Sequence, residues 1–438
     1  MNNKTIMIIA PSAFTLGGVQ TWLDYILPGL NKLGSRTVLG LISGKHHNSS
    51  KYLEVHPYDK IILISNDTGS YEGRISALIR ALMKVKPDLV LSVNIVDVYP
   101  AIKEIKKRGI KIKAIATLHG IQADFLEDLT TFCDCIDTVI CSNKLAQHMV
   151  RQNTEIEYER VLYAPYGVII PTIQDPPHNE TNTLTVAFVG RLEQPQKRIR
   201  DIPKILEEAL RNGINMKLLV AGDGPELGWL KREISNRKLD RHVDILGTLN
   251  SSSLVSQVYQ QSDVLLLTSS WETGPIVAWE AMAHGVVLIS SKYVGSGKEG
   301  SLYHDENCLL FEVGDIYGAV DCLKKVQDKE KRNQIAAAAR QLIEYRYSQK
   351  ASIMAWNNCL NKALTLPPLN LVNKPEYIPD SASRLNIFFG RHQAEFIRKL
   401  FKRKYIHHCP GSEWPHTYSV QRNDIQSFLK IAKSLDSR

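Results

Sequence analysis

Two glutamates eight positions apart, Glu272 and Glu280, flank a Gly274-Pro275 pair in the stretch WETGPIVAWEAMAHGV, directly after the apolar run DVLLLTSS. The run has the length and composition of a buried strand. Proline suits the first turn of a helix, so the pattern predicts strand, loop and then a helix entered at Pro275. The amides of Ile276, Val277 and Ala278 should lack intrahelical acceptors and point toward an anion such as phosphate. Carboxylates repel phosphate, so Glu272 and Glu280 must meet something else. Hydroxyls are the natural partners, because an ionised carboxylate only accepts hydrogen bonds. Glu272, in the loop, suits a sugar hydroxyl; Glu280, a turn into the helix, suits the hydroxyls of a ribose. The plainer alternative is that both complement the helix dipole or pair with lysines.

A second segment, FVGRLEQPQKRIRDIPKIL, holds Arg191 after the strand-ending Gly190, and Lys197 before the next helix. Two cations at the carboxyl end of a strand suit a diphosphate: the planar guanidinium can bridge two oxygens and the ammonium adds a compact charge. Because Arg198 and Arg200 follow at once, a solvated basic loop is the alternative. Gly17-Gly18 lies between a first strand and a helix predicted over residues 20–33, where glycine lets another group approach the backbone. His119 ends the strand of KIKAIATLHG and is a titratable group at a strand's carboxyl end. In LLVAGDGPELGWL, the Asp-Gly-Pro-Glu turn reads as architecture rather than chemistry.

These loops need elements to hold them. Strand-like runs fall at 5–10, 37–42, 61–64, 89–93, 112–117, 138–141 and 161–164, then at 184–189, 217–221, 243–246, 263–268 and 286–290, alternating with helix-length amphipathic segments. Such alternation implies parallel, doubly wound sheets, here two in tandem. The proline-punctuated stretch 171–183 reads as the linker between a domain over 1–170 and another over 184–345. Ligands of such sheets sit beyond the carboxyl ends of the strands, and a two-domain arrangement places them in the cleft between.

Taken together, Gly17-Gly18, His119, Gly190-Arg191…Lys197 and Glu272…Glu280, in that order, resemble the retaining glycosyltransferase family 4, which has the GT-B fold. EAMAHG (280–285), AGDGPE (221–226) and the run 295–315 look like family sequence too, and the similarity covers about residues 5–365. The resemblance implies an α/β chain of two Rossmann-like domains facing a cleft, with 346–365 crossing back to the first domain. It implies transfer of a sugar, most simply a hexose, from a nucleoside-diphosphate sugar to a glycan or lipid-linked acceptor, with retention of configuration. Glu280 would hold the ribose and Glu272 the transferred sugar. Arg191 and Lys197 would neutralise the departing diphosphate, and His119 would line the reacting centre. Gly17, Gly18, Gly190, Gly274, Pro275, Ile276 and Val277 would contribute donor contacts. No obligatory metal or cofactor is implied, since fixed cations and amides can stabilise the leaving group. Asp134 and Asp137 are poorly placed for a metal. The sequence departs from the family pattern at Thr273-Gly274-Pro275, at Tyr166-Gly167 and at Arg198, which leaves the donor sugar open.

Composition supports an ordinary globular chain. At 438 residues, 44% apolar and 23% charged, it is long enough for two domains. The longest apolar runs fall far short of the ~20 residues that cross a bilayer. MNNKTIMIIAPSAF reads as a first strand rather than a signal peptide, and seven cysteines without a Cys-x-x-Cys pair read as reduced thiols, so a cytoplasmic protein is expected. His407, His408, Cys409 and His416 lie close together, but adjacent histidines seldom serve one ion, and no metal site is expected.

The net charge is +9, and residues 366–438 carry twelve Lys/Arg against six Asp/Glu. Within 396–408, Phe396, Ile397, Leu400 and Phe401 share one helical arc, while Arg398, Lys399, Lys402 and Arg403 take the other; Lys404 is the exception. A basic amphipathic helix predicts an anionic membrane partner for 384–408, peripheral on the inner face of the cell membrane. Packing of the apolar arc on the enzyme or on a second subunit is the alternative. Two other functions compete: a GT-B epimerase or phosphorylase, and a non-catalytic nucleic-acid or scaffold protein. The tail lacks the aromatic-glycine interleaving used on single strands, so no nucleic acid is expected.

Overall fold

The strands form where the sequence places its short β-branched and leucine-rich runs, which are apolar almost throughout because helices cover both sheet faces. The computed structural model describes residues 3–12, 17–44, 47–121, 123–172, 183–369, 383–404 and 425–436. The first sheet is built from β1 (Thr5–Ala10), β2 (Arg36–Ser43), β3 (Ile61–Ser65), β4 (Leu89–Val93), β5 (Lys113–Leu118), β6 (Thr138–Cys141) and β7 (Val161–Tyr163). Its order is β3-β2-β1-β4-β5-β6-β7, every pair parallel. The second sheet comprises β8 (Leu184–Val189), β9 (Met216–Ala221), β10 (Val243–Gly247), β11 (Val264–Leu267), β12 (Val287–Ser291) and β13 (Leu309–Phe311). Its order is β10-β9-β8-β11-β12-β13, again parallel throughout. The doubly wound α/β class expected from the alternation is therefore the observed one. The strand β13 is an addition to the runs read from the sequence, at the edge of the second sheet.

The chain divides into two compact units, Met1–Ala164 with Ile353–Phe428, and Pro165–Ser352 with Leu429–Arg438. The division thus falls at Ala164, a few residues before the boundary read from the prolines. Residues 173–182 of the expected linker lie outside the described residues, as do His407, His408, Cys409 and His416. The helix Gln349–Thr365 follows a π-helical turn over Ile343–Tyr347, and from Ile353 onward it belongs to the first unit. Its Ile353 packs so closely on Gly29 that any larger residue there would collide with it. Among the described residues no helix is long and apolar enough to cross a membrane. Among the described residues the six cysteines form no disulfide, and burial raises the pKa of Cys135 and Cys141, which suits packing rather than reactivity.

Each sheet has one point where the strand order reverses: between β1 and β4 in the first, between β8 and β11 in the second. In the second unit the glycines of AGDGPE explain how the loop after β8 is held. The Gly190 amide donates to the Ala221 carbonyl at 3.0 Å, the Leu192 amide to Asp223 at 2.9 Å, and the Glu226 amide to Leu192 at 3.0 Å. This zipper brings two backbones into contact. A Cβ on Gly222, which has φ +146°, would lie 1.9 Å from the Gly190 carbonyl oxygen. Gly222→Ala should therefore cost more than about 2 kcal/mol and lower Tm by about 5–10 °C, read by thermal unfolding. An unchanged Tm would show that the loop relaxes freely.

Candidate active site

The loop after β8 and the loop after β11 meet at the crossover of the second sheet, where the crevice of a doubly wound fold lies. They are sewn together along their length. The Ser270 amide donates to the Gln196 carbonyl at 2.7 Å, and the Ser270 hydroxyl to the Pro195 carbonyl at 3.1 Å. The Gln196 side chain donates to the Trp271 carbonyl at 3.1 Å, and the Thr268 hydroxyl to the Lys197 carbonyl at 2.8 Å. The seam delivers Lys197 to Glu272: Nζ lies 2.5 Å from Oε1, both side chains largely buried. The Ser269 hydroxyl donates to the same oxygen at 2.6 Å, so Glu272 is fixed from two sides.

Arg191 is on the same loop but differently placed. Its guanidinium is 61% exposed and lies 2.7 Å from Glu193, leaving it open to a ligand arriving from solvent. Arg198, a departure from the pattern that the resemblance implies, adopts φ +51° and ties down the start of the following helix through Asp201 at 2.7 Å. The left-handed backbone explains why glycine suits that place. Arg200 closes the far side by meeting Glu226 at 2.9 Å.

The helix after Glu272 runs Ile276–Ala283. Pro275 precedes it as the N-cap, with φ −70° and ψ 94°, rather than opening its first turn. One expectation is corrected here: the Ala278 amide donates to the Pro275 carbonyl at 2.8 Å, so it is not available to an anion. The extended ψ of Pro275 aims its carbonyl into the first turn and satisfies that donor. Ile276 and Val277 remain at the positions whose amides have no intrahelical acceptor. Gly274, at φ +112°, lies under the Tyr166 ring, which a Cβ there would meet at 3.4 Å.

Glu280 has a partner that spacing in the sequence does not signal. The Tyr259 hydroxyl donates to Glu280 Oε2 at 2.7 Å, and the Tyr259 ring stacks on His284 at 5.3 Å between centroids. Burial raises the Glu280 pKa above the usual carboxylate value, opposed by the Tyr259 hydrogen bond. Burial also drives the Tyr259 phenol upward, so it stays a donor at any working pH.

His119 and Gly17-Gly18 belong to the first unit. The helix Gly18–Lys32 begins at Gly17 and carries Trp22, whose ring lies 4.8 Å from that of His119. Trp356, on the helix Gln349–Thr365, lies 4.6 Å from Trp22 and stacks on His119 at 6.2 Å. This apolar crowding lowers the His119 pKa, so the imidazole is neutral near pH 7. The tautomer follows from hydrogen-bond accounting. The Thr117 hydroxyl donates to the Ser92 carbonyl at 2.8 Å, so toward His119 Nε2, 2.9 Å away, it can only accept. Nε2 therefore carries the proton, and Nδ1 is the acceptor nitrogen.

Nothing in the site gathers metal ligands: among the described residues no cluster of three His, Cys, Asp or Glu forms. Asp134 and Asp137 each meet a lysine instead, Lys103 at 2.5 Å and Lys106 at 2.6 Å.

Residues 170–342, the greater part of the second unit, match the family described as glycosyl transferases group 1. The match thus covers most of the second unit and about two fifths of the chain. Curated relatives agree. The lipopolysaccharide 1,6-galactosyltransferase of Escherichia coli (strain K12) is 29% identical over 254 residues, covering 57% of this chain and 68% of its own length. The N-acetyl-alpha-D-glucosaminyl L-malate synthase of Bacillus anthracis is 29% identical over 253 residues, covering 54% and 64%. Among solved structures, the apo form of the lipopolysaccharide outer core galactosyltransferase WaaB has a TM-score of 0.65 at 20% identity, covering 82% of this chain and 99% of its own. The Anabaena Alr3699/HepE complex with UDP-glucose has a TM-score of 0.67 at 18% identity, covering 82% and 99%. At these identities the structural likeness speaks for the GT-B fold. The family match and these relatives make the second unit similar to glycosyltransferases.

Proposed function

We propose that this enzyme transfers a hexose from a nucleoside-diphosphate sugar to a glycan or lipid-linked acceptor of the cell envelope, with retention of configuration and without an obligatory metal. One observation carries the reading: Lys197 and Glu272 meet at the crossover of the second sheet, on loops stitched to each other, and Arg191 stands exposed on the first of those loops. In this proposal Arg191 and Lys197 hold the diphosphate, Glu280 the ribose hydroxyls, and Glu272 the hydroxyls of the transferred sugar. The amides of Ile276 and Val277, with the close backbone approach that Gly190 and Gly274 allow, complete the donor cradle.

The Lys197–Glu272 pair gives this arrangement a physical logic. Before the donor arrives, each ion neutralises the other, so neither is left buried and unpaired. An incoming diphosphate competes for the ammonium, and Glu272 is then released to accept from sugar hydroxyls. As the bond to the anomeric carbon breaks, negative charge grows on the diphosphate, where the fixed cations stabilise it most. His119, neutral and with Nδ1 as acceptor, contributes a hydrogen bond to a hydroxyl rather than a charge. Gly17 and Gly18 offer backbone at the start of the Trp22 helix. With Glu272 engaged by sugar hydroxyls and the Ser269 hydroxyl bonded to Glu272, attack from the leaving-group face accounts for retention.

Uridine nucleotides are the first donors to test, since the Anabaena neighbour carries UDP-glucose and the E. coli relative is a galactosyltransferase. Thermal unfolding with UDP, GDP, ADP and dTDP, and with UDP-glucose and UDP-galactose, should show stabilisation by one nucleotide. The increment should vanish in Arg191→Ala while the ligand-free Tm holds, because that side chain is largely exposed. Turnover should release nucleoside diphosphate only with acceptor present and should survive a metal chelator. Salt-sensitive RNA binding without any nucleotide response would overturn the reading, and interconversion of donors without acceptor would favour an epimerase. We further place the enzyme on the cytoplasmic face of a membrane, with the basic residues of 384–404 as the contact.

A further inference from the structure

The sequence pattern of the tail predicts one helix over 396–408 with an apolar arc and a basic arc. The structure holds two short helices, Arg384–Phe389 and Arg391–Leu400, joined at Gly390 with φ +71°. Residues beyond 404 lie outside the described ones. The pair docks on the first unit, and it does so by its polar side. Glu395 is buried and accepts from the Thr68 hydroxyl at 2.8 Å and from the Ser70 hydroxyl. Ser70 is the N-cap of the helix Tyr71–Val85, where a carboxylate complements the helix dipole. Arg391 lies 3.7 Å from Glu72 of the same helix. Arg398, placed on the solvent arc by its periodicity, is 1% exposed and donates to Ser383 at 2.7 Å and Asn386 at 2.5 Å, locking the two helices together.

The consequence is inverted amphipathicity. Phe388 is 78% exposed and Phe396 67%, and Ile387, Phe389, Leu400 and Phe401 are exposed beside them. Of this arc only Ile397 is half-buried, so packing of the arc on the enzyme body, the alternative left open by the sequence, does not occur for Phe396, Leu400 or Phe401. Around the knuckle stand Arg384, Lys399, Lys402, Arg403 and Lys404, all exposed. The one acidic residue of 383–404 is Glu395, and it is sequestered in the latch. The exposed face is thus apolar and basic with no carboxylate.

We propose that this helical pair is a membrane-docking element, which inserts Ile387, Phe388, Phe389, Phe396, Leu400 and Phe401 among the acyl chains of an anionic lipid surface while its basic rim meets the headgroups. Charge selects that occupant. A second copy would bring the same cations face to face, whereas anionic headgroups complement them. Aromatic and aliphatic side chains on a rigid base, rimmed by lysine and arginine, are the features of an interfacial anchor. The latch keeps the knuckle outward by supplying Glu395 and Arg398 with better partners in the protein than water offers. The inference rests on the lipid-borne acceptor for its purpose, and on the pair's own chemistry for its evidence.

The test uses the full chain and sedimentation with vesicles of phosphatidylcholine alone or mixed with phosphatidylglycerol. Wild type should partition to the anionic vesicles and weakly to neutral ones. Phe388→Ser combined with Phe396→Ser should lower the partition by about tenfold or more, with Tm unchanged because both side chains are exposed. Lys399→Glu with Lys402→Glu should abolish the preference for phosphatidylglycerol, each charge being worth about fivefold. Equal partition of wild type and the Phe pair, no vesicle binding at all, or a dimer in light scattering that the Phe pair dissolves, would each overturn the proposal. Nucleotide stabilisation is read in the same variants. If it persists while vesicle binding fails, the docking element is wrong and the glycosyltransfer site stands.

Discussion

Lys197→Ala lowers kcat/KM about 10²–10³-fold, the size of effect that follows removal of one preorganised group from developing charge. The same substitution destabilises the ligand-free enzyme. Glu272 is left as a buried carboxylate with the Ser269 hydroxyl but no cation, and breaking a buried pair from one side costs about 3–5 kcal/mol. Two readouts separate these consequences. The double variant Lys197→Ala with Glu272→Gln regains most of the lost Tm, because no uncompensated charge remains, yet it recovers no activity. Wild-type turnover in Lys197→Ala would dismiss the assignment of that ammonium to the diphosphate, and an unchanged Tm would show that water already compensates Glu272.

Glu280→Ala weakens nucleotide affinity about 10²-fold, the loss expected for two hydrogen bonds to a charged acceptor. The raised pKa of Glu280 adds a pH signature with a definite sign. The ionised form accepts from ribose hydroxyls, so affinity falls as pH drops from neutral through the raised range. The slope disappears in Glu280→Gln. Stability runs the other way. The folded protein holds this proton more tightly than the unfolded chain does, so Glu280 costs stability when ionised and ceases to do so as pH falls. Tyr259→Phe removes the hydrogen bond that opposes the shift, and the acid limb of nucleotide binding moves to higher pH. Calorimetric titration between neutral pH and pH 5 reads both effects. A limb that stays in place in Tyr259→Phe would mean the phenol does not set the titration of Glu280.

Much of the fold was legible because its signals are local. A parallel sheet covered on both faces needs short apolar runs, and twelve of the thirteen strands among the described residues fall on runs the sequence shows. The exception, Leu309–Phe311, is an edge strand that pairs only along β12. The chemistry was partly legible for the same reason. Charged residues next to strand-ending glycines betray loops at the carboxyl ends of strands. Misjudged details lie where backbone angles decide. Pro275 sits one place earlier in the helix than its tolerance for a first turn suggests, and this spends the Ala278 amide on its own carbonyl.

By itself the sequence determined that this chain is two doubly wound α/β units and that Arg191, Lys197, Glu272 and Glu280 stand on the loops such units use for ligands. Only the tertiary structure decided their partners. Lys197 meets Glu272 across 75 positions because the crossover of strand order sets side by side two loops that the chain keeps apart, and Tyr259 meets Glu280 across 21 because the segments before and after β11 pack on each other. The tail shows the same limit most sharply. Helical periodicity distinguishes two faces, but which face turns inward depends on the surface it meets. Here Thr68 and Ser70 offer hydrogen bonds to Glu395, so the polar face docks and the phenylalanines face outward.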